Sequence, residues 1–525
     1  MRSVPSAILR KLQNRIARAV SSDGGRQVIV VGPEGRGKTT LIKDVINHGH
    51  RQSFRNVAYS YYDFQRNANH NFQVMVTQWS SELISHHPML NHTSKTDCLE
   101  VFNVLNDQIP QLQMHIKTFL RRLLTLKYLD RTLAAHITSI LKSDNEVSPE
   151  LWYDTCLLLL KHAPGTMGIH DTSSVGNIEP FFYGLYAVGI IAEKTEIEAK
   201  GEHNSSSRLT GIWATKYVLR PWHIISRLRQ NNWILCLDSL HELIRSPFLN
   251  DRGGNFIWQM VEEIQANNMS AVLISDECTA TIPFIDQKLA NNIDDVYMRP
   301  RGNVSAEKVD PSALVFLDVP EIEPTVARGA LKEGISNSEN IARALLKVSG
   351  GNLRLINSLI NSYRDLESSL DLPAVHQILA GSNSPVDDEY FPLNGSLEDQ
   401  VQYLKDERCR MFVRNVHNAA LKNEVGKFEN MMNRFLSLPA MESARHRLGD
   451  NIHFLVTVYE TVRYLLSKPL LQLHPEVNIE NKIILSLLAS GIMHLNVESR
   501  TMEFKDALTR LLIEAFIDNE YGRPR

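Results

Sequence analysis

The stretch Arg26–Leu41, RQVIVVGPEGRGKTTL, constrains this chain more than any other. Gln27–Val31 is rich in β-branched residues, the composition of a short buried strand. It runs into Gly32-Pro33-Glu34-Gly35-Arg36-Gly37-Lys38-Thr39, which fits G-x-x-x-x-G-K-[ST]. Beyond Thr40, the residues Leu41, Ile42, Val45 and Ile46 recur on one face of a helix. Strand, glycine-rich loop and helix in that order are the setting in which this pattern is a phosphate-binding loop. Glycines let backbone N–H groups curl around an anion, and the helix N-terminus adds partial positive charge. Lys38 is then placed for the β- and γ-phosphates of a nucleotide and the Thr39 hydroxyl for Mg²⁺. The expected nucleotide contacts are therefore Gly32, Pro33, Glu34, Gly35, Arg36, Gly37, Lys38, Thr39 and Thr40.

With 525 residues the chain has room for three or four domains. It is 43% hydrophobic and 22% charged, enough to bury sizeable cores. A net charge of −3 indicates no general attraction to nucleic acid. The five cysteines are scattered and form no C-x-x-C pair, which argues against a zinc site or a disulfide framework and for a reducing compartment. The longest apolar run, Pro180–Ala192, is too short to span a bilayer and reads as a buried helix. Residues 1–22 are basic and acid-free, with Ile8, Leu12, Ile16 and Val20 at helical spacing. They fit either a helix packed beside the phosphate loop or a mitochondrial transit segment. The compartment expected is the cytoplasm, with the mitochondrial matrix as the alternative.

Val57–Phe64 has strand composition and includes Asp63. A largely helical region follows to about residue 230, with helices expected over Phe72–Ile84, Ile109–Leu129 and Trp152–His162. Glu193–Leu209 is polar and reads as an exposed loop. Trp233–Asp238, WILCLD, is a second buried strand, and it ends in an acid. A carboxylate at that point, aimed at Mg²⁺, is what a P-loop protein needs opposite its Thr39. Glu242 is the nearest group able to polarise an attacking water. Lys38, Asp238 and Glu242 are thus the catalytic candidates, and Thr39 with Asp238 the Mg²⁺ ligands. Ala271–Ser275 is a third strand, with Ser275 where a γ-phosphate sensor belongs, and Leu314–Leu317 a fourth.

Helices are expected over Thr325–Lys332 and Ser338–Val348. Gly350 and Gly351 then close one helix while Asn352 caps another running through Ile360. Arg354, in the first turn of that helix, is placed to reach back to the phosphates. Ser382–Ser396 reads as a linker, and helices are expected over Leu397–Val413, Lys427–Leu436 and Phe454–Leu466. The chain ends with a helix over Glu480–Ser490, strands Ile492–Leu495 and Thr501–Phe504, and a helix over Ala507–Ile517. Helix, hairpin, helix suggests a winged helix, although the same pieces fit other small α+β units.

With these residues in place, the chain resembles the AAA+ and STAND group of P-loop ATPases. Asp238-Ser239-Leu240-His241-Glu242 is similar to the acid-rich segment of NACHT-type STAND proteins. Gly350-Gly351-Asn352-Leu353-Arg354 is similar to the G-G-N-P-R segment of archaeal-type STAND ATPases and to the second-sensor region of origin-recognition and Cdc6-like proteins. The resemblance covers about residues 1–64 and 231–360; the stretch 65–230 matches no recognised family in this reading. Four departures stand out, the first being Leu353 in place of the proline of the G-G-N-P-R segment. Ser239 replaces the glutamate that commonly follows the strand-end acid, His241 replaces the first acid of the NACHT-type pair, and Asp276-Glu277 stands where STAND proteins often place an arginine.

The resemblance implies an α/β fold of the ASCE class of P-loop NTPases, with parallel sheet order 5-1-4-3-2. The expected division is 1–64 and 231–322 for the NTPase, 65–230 for a helical insertion, 323–381 for a helical lid, and 397–525 for an α-rich C-terminal region. It implies an ATP- and Mg²⁺-dependent switch with slow turnover, acting through a protein partner or self-association, with Ser275 and Arg354 sensing the γ-phosphate. Two alternatives are a DNA-clamping initiator of the origin-recognition type, which would be nuclear, and a scaffold that binds ATP without hydrolysing it.

Overall fold

The computed structural model describes residues 10–11, 14–16, 18, 26–52, 57–68, 71–126, 129–143, 145–199, 212–245, 253–276, 296, 310, 313–319, 321, 323–334, 342–343, 345–346, 349–369, 424–448, 451–467, 471–472, 479–496 and 501–521. The linker expected over 382–396, the helix expected over 397–413 and most of that expected over 338–348 lie outside these residues.

Five strands form one parallel sheet: β1 (Gln27–Val31), β2 (Val57–Asp63), β3 (Asn232–Asp238), β4 (Ser270–Ser275) and β5 (Leu314–Asp318). Their order across the sheet is β2-β3-β4-β1-β5, with every neighbouring pair parallel. Read from the other edge this is 5-1-4-3-2, the order expected. Alternation along the strands sends side chains to both faces. Val28, Val30, Ile234, Cys236, Val272 and Ile274 meet Leu41 and Ile42 of helix α1 (Lys38–Gln52) on one side. Ile29, Val31, Leu235, Leu237, Ala271 and Leu273 face the helical insertion on the other. Both faces are covered over β1, β3 and β4, which is why these strands read as apolar runs. The basic N-terminal segment is helical where described, and Ile16 is buried on the α1 side.

Seven helices make up the described part of the insertion: α2 (Phe72–Ser85), α3 (Lys95–Gln108), α4 (Leu112–Leu124), α5 (Arg131–Lys142), α6 (Pro149–His162), α7 (Glu179–Ala199) and α8 (Ile212–Leu228). Their starts are written in the sequence. Asn71, Ser94, Asp130 and Ser148 cap α2, α3, α5 and α6, Ser94 and Asp97 forming a reciprocal capping box. Two expectations need correction. The helix expected over Ile109–Leu129 is shorter, because Ile109 closes α3 by donating its N–H to the Leu105 carbonyl and Pro110 intervenes. Glu193–Ala199 is not a loop but the last two turns of α7, with Glu193 buried and Arg122 of α4 paired to Glu198. Polar composition there reflects a helix end that meets charged neighbours. The rest of that expected loop, 200–209, lies outside the described residues.

The insertion is fastened to the sheet rather than hung from it. Trp79 and Phe72 of α2 meet Phe256 of α10 edge to face, where α9 is His241–Arg245 and α10 is Gly253–Ala266. Arg220 of α8 makes a two-point ion pair with Glu263 of α10. His87 stacks on Trp222 at 3.7 Å between centroids, and burial holds its pKa well below the usual range, so it is a neutral packing group.

Beyond the sheet, α11 (Pro324–Gly334) and α12 (Leu353–Ser369) share a small core of Ala327, Leu331, Leu359 and Ile360. The C-terminal part is a helix over 424–436, α13 (Pro439–Leu448), α14 (Asn451–Ser467), α15 (Ile479–Ala489) and α16 (Ala507–Tyr521). Between the last two lies the hairpin β7 (Met493–Asn496) and β8 (Thr501–Phe504). A two-residue strand, β6 (Leu471–Gln472), pairs with the other edge of β8, making a three-stranded antiparallel sheet that the sequence did not announce. Among the described residues no helix is long and apolar enough to cross a membrane.

Candidate functional site

The parallel sheet brings its strand ends to one edge, where open α/β folds place their ligands. Val31 is in register with Ser275 and with Asp318, and Asp63 with Asp238. The loop after β1 turns sharply there: Gly32, Gly35 and Gly37 have φ of +148°, +88° and +85°. At Gly35 the requirement is also steric, since a Cβ would lie 2.2 Å from the Asn352 Oδ1.

Lys38 points back into its own loop and is almost wholly buried. Its Nζ donates to the Gly32 carbonyl at 2.6 Å and the Pro33 carbonyl at 2.8 Å, and meets Asp276 Oδ1 at 2.6 Å. Thr39 Oγ1 donates to Asp238 Oδ2 at 2.6 Å, so the two expected Mg²⁺ ligands are in contact. Tyr61 of β2 donates to the same carboxylate oxygen at 2.7 Å, and the Ser239 N–H donates to the other. Burial, with Asp63 nearby, raises the Asp238 pKa against these hydrogen bonds. Ser239 adopts φ +60°, a left-handed conformation that costs a serine about 1 kcal/mol or more. Its hydroxyl is anchored to Asp63 Oδ1 at 2.7 Å.

His241, a residue the sequence marked only as a departure, organises the far side of the site. Its Nδ1 accepts the Asp276 N–H at 3.1 Å, which places the proton of the neutral ring on Nε2. Nε2 lies 3.2 Å from Glu242 Oε1 and 3.6 Å from Asp276 Oδ2. Glu242 is buried beside it on α9. Ser275 is fully buried at the end of β4, next to Asp276. Lys38, Asp276 and His241 are thus linked by direct contacts, with Glu242 joined through His241, while Thr39 and Asp238 form a separate pair. Thr40 is exposed on the first turn of α1.

Arg354 stands elsewhere. Its guanidinium grips Glu34 and Glu424, the latter at 3.0 Å, and its N–H donates to the Gly35 carbonyl. It holds the outside of the loop rather than facing Lys38. Asn352 caps α12 as the sequence suggests, accepting from the Arg354 and Leu355 N–H groups, and its amide also donates to the Glu34 carbonyl at 3.1 Å.

The C-terminal hairpin reaches the same loop. Arg36, only 6% exposed, donates to the Val319 carbonyl at 3.2 Å and to Glu503 Oε1 of β8 at 3.3 Å. Lys505 Nζ lies 3.4 Å from Glu34 Oε2, and His494 Nε2 of β7 lies 3.1 Å from Asp318 Oδ2 at the end of β5. Burial alone would raise the Glu34 pKa; Lys505 and Arg354 more than offset it and hold it low. Glu503, Lys505 and His494 carry no local motif, so periodicity could not single them out.

Residues 12–139 match the family model described as Nephrocystin 3, N-terminal. The match takes in the phosphate loop, β2 and the first helices of the insertion, so part of the stretch 65–230 shares a family with the loop. No relative among curated proteins matches the sequence. Among solved structures, the ORC1 protein of Aeropyrum pernix in complex with DNA is similar at 13% identity and a TM-score of 0.34, over 98% of this chain and 92% of that one. At that score the likeness adds nothing to what the strand order already shows. The 5-1-4-3-2 sheet, the lysine-bearing loop at the end of β1 and the family match over residues 12–139 give this chain a P-loop fold of the AAA+/STAND type.

Proposed function

We propose that the chain is a nucleotide-dependent switch that binds ATP with Mg²⁺ and hydrolyses it slowly, and that without ATP it rests closed, with its C-terminal unit seated on the phosphate loop. The observation that carries this reading is the set of ion pairs made by the loop's own variable residues. Arg36 is tied to Glu503, and Glu34 to Lys505 and Arg354, so the loop is fixed to both the lid and the C-terminal hairpin. A change at the phosphates is thereby transmitted to elements more than three hundred residues away in sequence.

The residues fit the ligand. Three glycines at positive φ leave a cradle free of side chains, Lys38 supplies the cation, and Thr39 and Asp238 present a hydroxyl and a carboxylate side by side. Mg²⁺ bound there would neutralise phosphate charge. Glu242 would orient water, and its Oε1, 3.2 Å from His241 Nε2, supports that role. Ser239, in place of a second acid after Asp238, supports slow turnover. The lid would comprise α11 and α12. The last helices with the three-stranded sheet would form a winged helix whose hairpin is the clamp, and opening it would expose a surface for a protein partner or a second copy.

Nucleotide affinity and hydrolysis, measured on wild type, Lys38→Ala and Glu242→Gln, test the reading. Wild type should bind and turn over, Lys38→Ala should lose binding while remaining folded, and Glu242→Gln should bind with turnover reduced about 10²-fold or more. Retained affinity in Lys38→Ala would refute it.

A further inference from the structure

Tyr61 touches Asp238 yet belongs neither to the phosphate loop nor to β3. Alternation puts Tyr59, Tyr61 and Asp63 on one face of β2. Tyr61 is in register with Cys236 and Asp63 with Asp238. Asp238 therefore lies two residues further along the sheet than Tyr61, about 6–7 Å. A tyrosine side chain spans that gap, and its hydroxyl donates to Asp238 Oδ2 at 2.7 Å. The ammonium of Lys43, on α1, stands 4.9 Å from the centre of the Tyr61 ring and helps to hold it.

A carboxylate has about four lone-pair sites. Among the described residues, Asp238 Oδ2 takes the hydroxyls of Thr39 and Tyr61, and Oδ1 takes the Ser239 N–H at 2.7 Å. Ser239 is itself fixed by its hydroxyl on Asp63 Oδ1. Both ends of the carboxylate are thus anchored from β2, one directly by Tyr61 and the other by Asp63 through Ser239. Thr39 is an anchor of another kind, because its oxygen is the second expected Mg²⁺ ligand.

We propose that Tyr61 is a positioning residue for the metal: its hydroxyl holds the Asp238 carboxylate in place for the Mg²⁺ of a bound nucleotide. This rests on the nucleotide-binding reading above and adds to it the side chain that sets the strength of the metal site. Without the phenol, Oδ2 keeps only Thr39, and the carboxylate is free to turn about its Cβ–Cγ bond. Hydrogen-bond partners of metal ligands change metal affinity by about 10- to 100-fold. Phenylalanine at this position keeps the ring, its packing on the sheet and the Lys43 contact, and removes only the oxygen. A residue needed for packing alone would leave Tyr61→Phe like wild type.

The test is calorimetric titration of the full chain with the non-hydrolysable β,γ-imido analogue of ATP, in EDTA and in Mg²⁺. Wild type, Tyr61→Phe, Tyr59→Phe and Asp238→Asn are compared, with thermal unfolding of each. Wild type should bind at least about tenfold more tightly in Mg²⁺ than in EDTA, and Asp238→Asn should lose that gain. Tyr61→Phe should lose most of the gain while matching wild type in EDTA. Tyr59→Phe, changed one step further back on the same face of β2, should behave as wild type in both. A full or larger gain in folded Tyr61→Phe, when Asp238→Asn has lost it, would overturn the proposal and leave the nucleotide site standing. So would a loss of equal size in EDTA and in Mg²⁺, the mark of a structural role. Wild type that binds the analogue equally with and without Mg²⁺, or not at all, would remove the metal site and the proposal with it, without any variant having to fold.

Discussion

Cutting the link between the phosphate loop and the C-terminal hairpin should open the protein, and the size of the effect should depend on which side is cut. Arg36 is buried among three carboxylates: Glu503 Oε1 at 3.3 Å, Glu321 Oε1 at 3.9 Å and Asp318 Oδ1 at 4.0 Å. Arg36→Ala leaves these acids together, with Asp318 only 7% exposed and paired with His494. Removing one partner of a buried pair costs about 3–5 kcal/mol. Displacing the hairpin lets water reach Asp318, so this cost falls mainly on the closed state. At 1.4 kcal/mol per decade, the closed-to-open ratio should drop about a hundredfold or more. Glu503→Gln acts on the same contact from its solvated side, where the carboxylate is 34% exposed. There the loss should be about 0.5–1 kcal/mol, two- to fivefold. Native-state hydrogen exchange of the β7 and β8 amides reads both numbers, and the double variant gives their coupling. Equal effects from the two substitutions, or unchanged exchange in Arg36→Ala, would refute the clamp.

Other consequences follow from the same contacts. Gly35→Ala combines a left-handed φ with a collision against Asn352 Oδ1, so it should destabilise the loop–lid junction by about 2 kcal/mol or more, seen as a lower Tm; a neutral result would contradict the close approach. Acid should loosen the clamp. Glu34 and Asp276 have lowered folded pKa values, so what they contribute is present above their ordinary 4.5 and 3.8 and is lost as pH falls below that range. Asp238, with its raised pKa, works in the opposite sense. Protection of the hairpin amides, corrected for intrinsic exchange, should therefore fall below about pH 4. His241→Ala should lower kcat about tenfold in a nucleotide-saturated assay, because it positions Glu242, and an unchanged kcat would contradict that role.

What the sequence reveals and what it hides divide along physical lines. β1, β3 and β4 were legible as buried apolar runs and the edge strands β2 and β5 by their aromatic and branched residues, and the phosphate loop because its glycines have no substitute at positive φ. The order of the sheet came with the resemblance, not from any strand by itself. The helix starts capped by Ser94 and Ser148 were passed over, because leucine and isoleucine spacing marks the middle of a helix and not its first turn. A helix end was missed where composition misled, at Glu193–Ala199. The short helix α13 has polar residues on most of its surface and was not foreseen. Neither was β6, since two residues carry no period. The clamp was out of reach for a different reason: Arg36 and Glu503 are 467 residues apart, and an ion pair leaves no trace in local sequence. Arg354 shows the converse. Its position beside G-G-N was read correctly, but its direction is set by Glu34 and Glu424, which only the fold brings together.

The most direct test of the switch is hydrogen exchange of β7 and β8 in the absence of nucleotide, with ADP, and with ATP and Mg²⁺, in wild type and Lys38→Ala. The account predicts that the hairpin is protected without nucleotide and with ADP, that ATP with Mg²⁺ removes protection in wild type, and that Lys38→Ala responds to neither nucleotide. Identical exchange under every condition in wild type would show that the C-terminal unit does not read the phosphate loop, and would contradict the account at its centre.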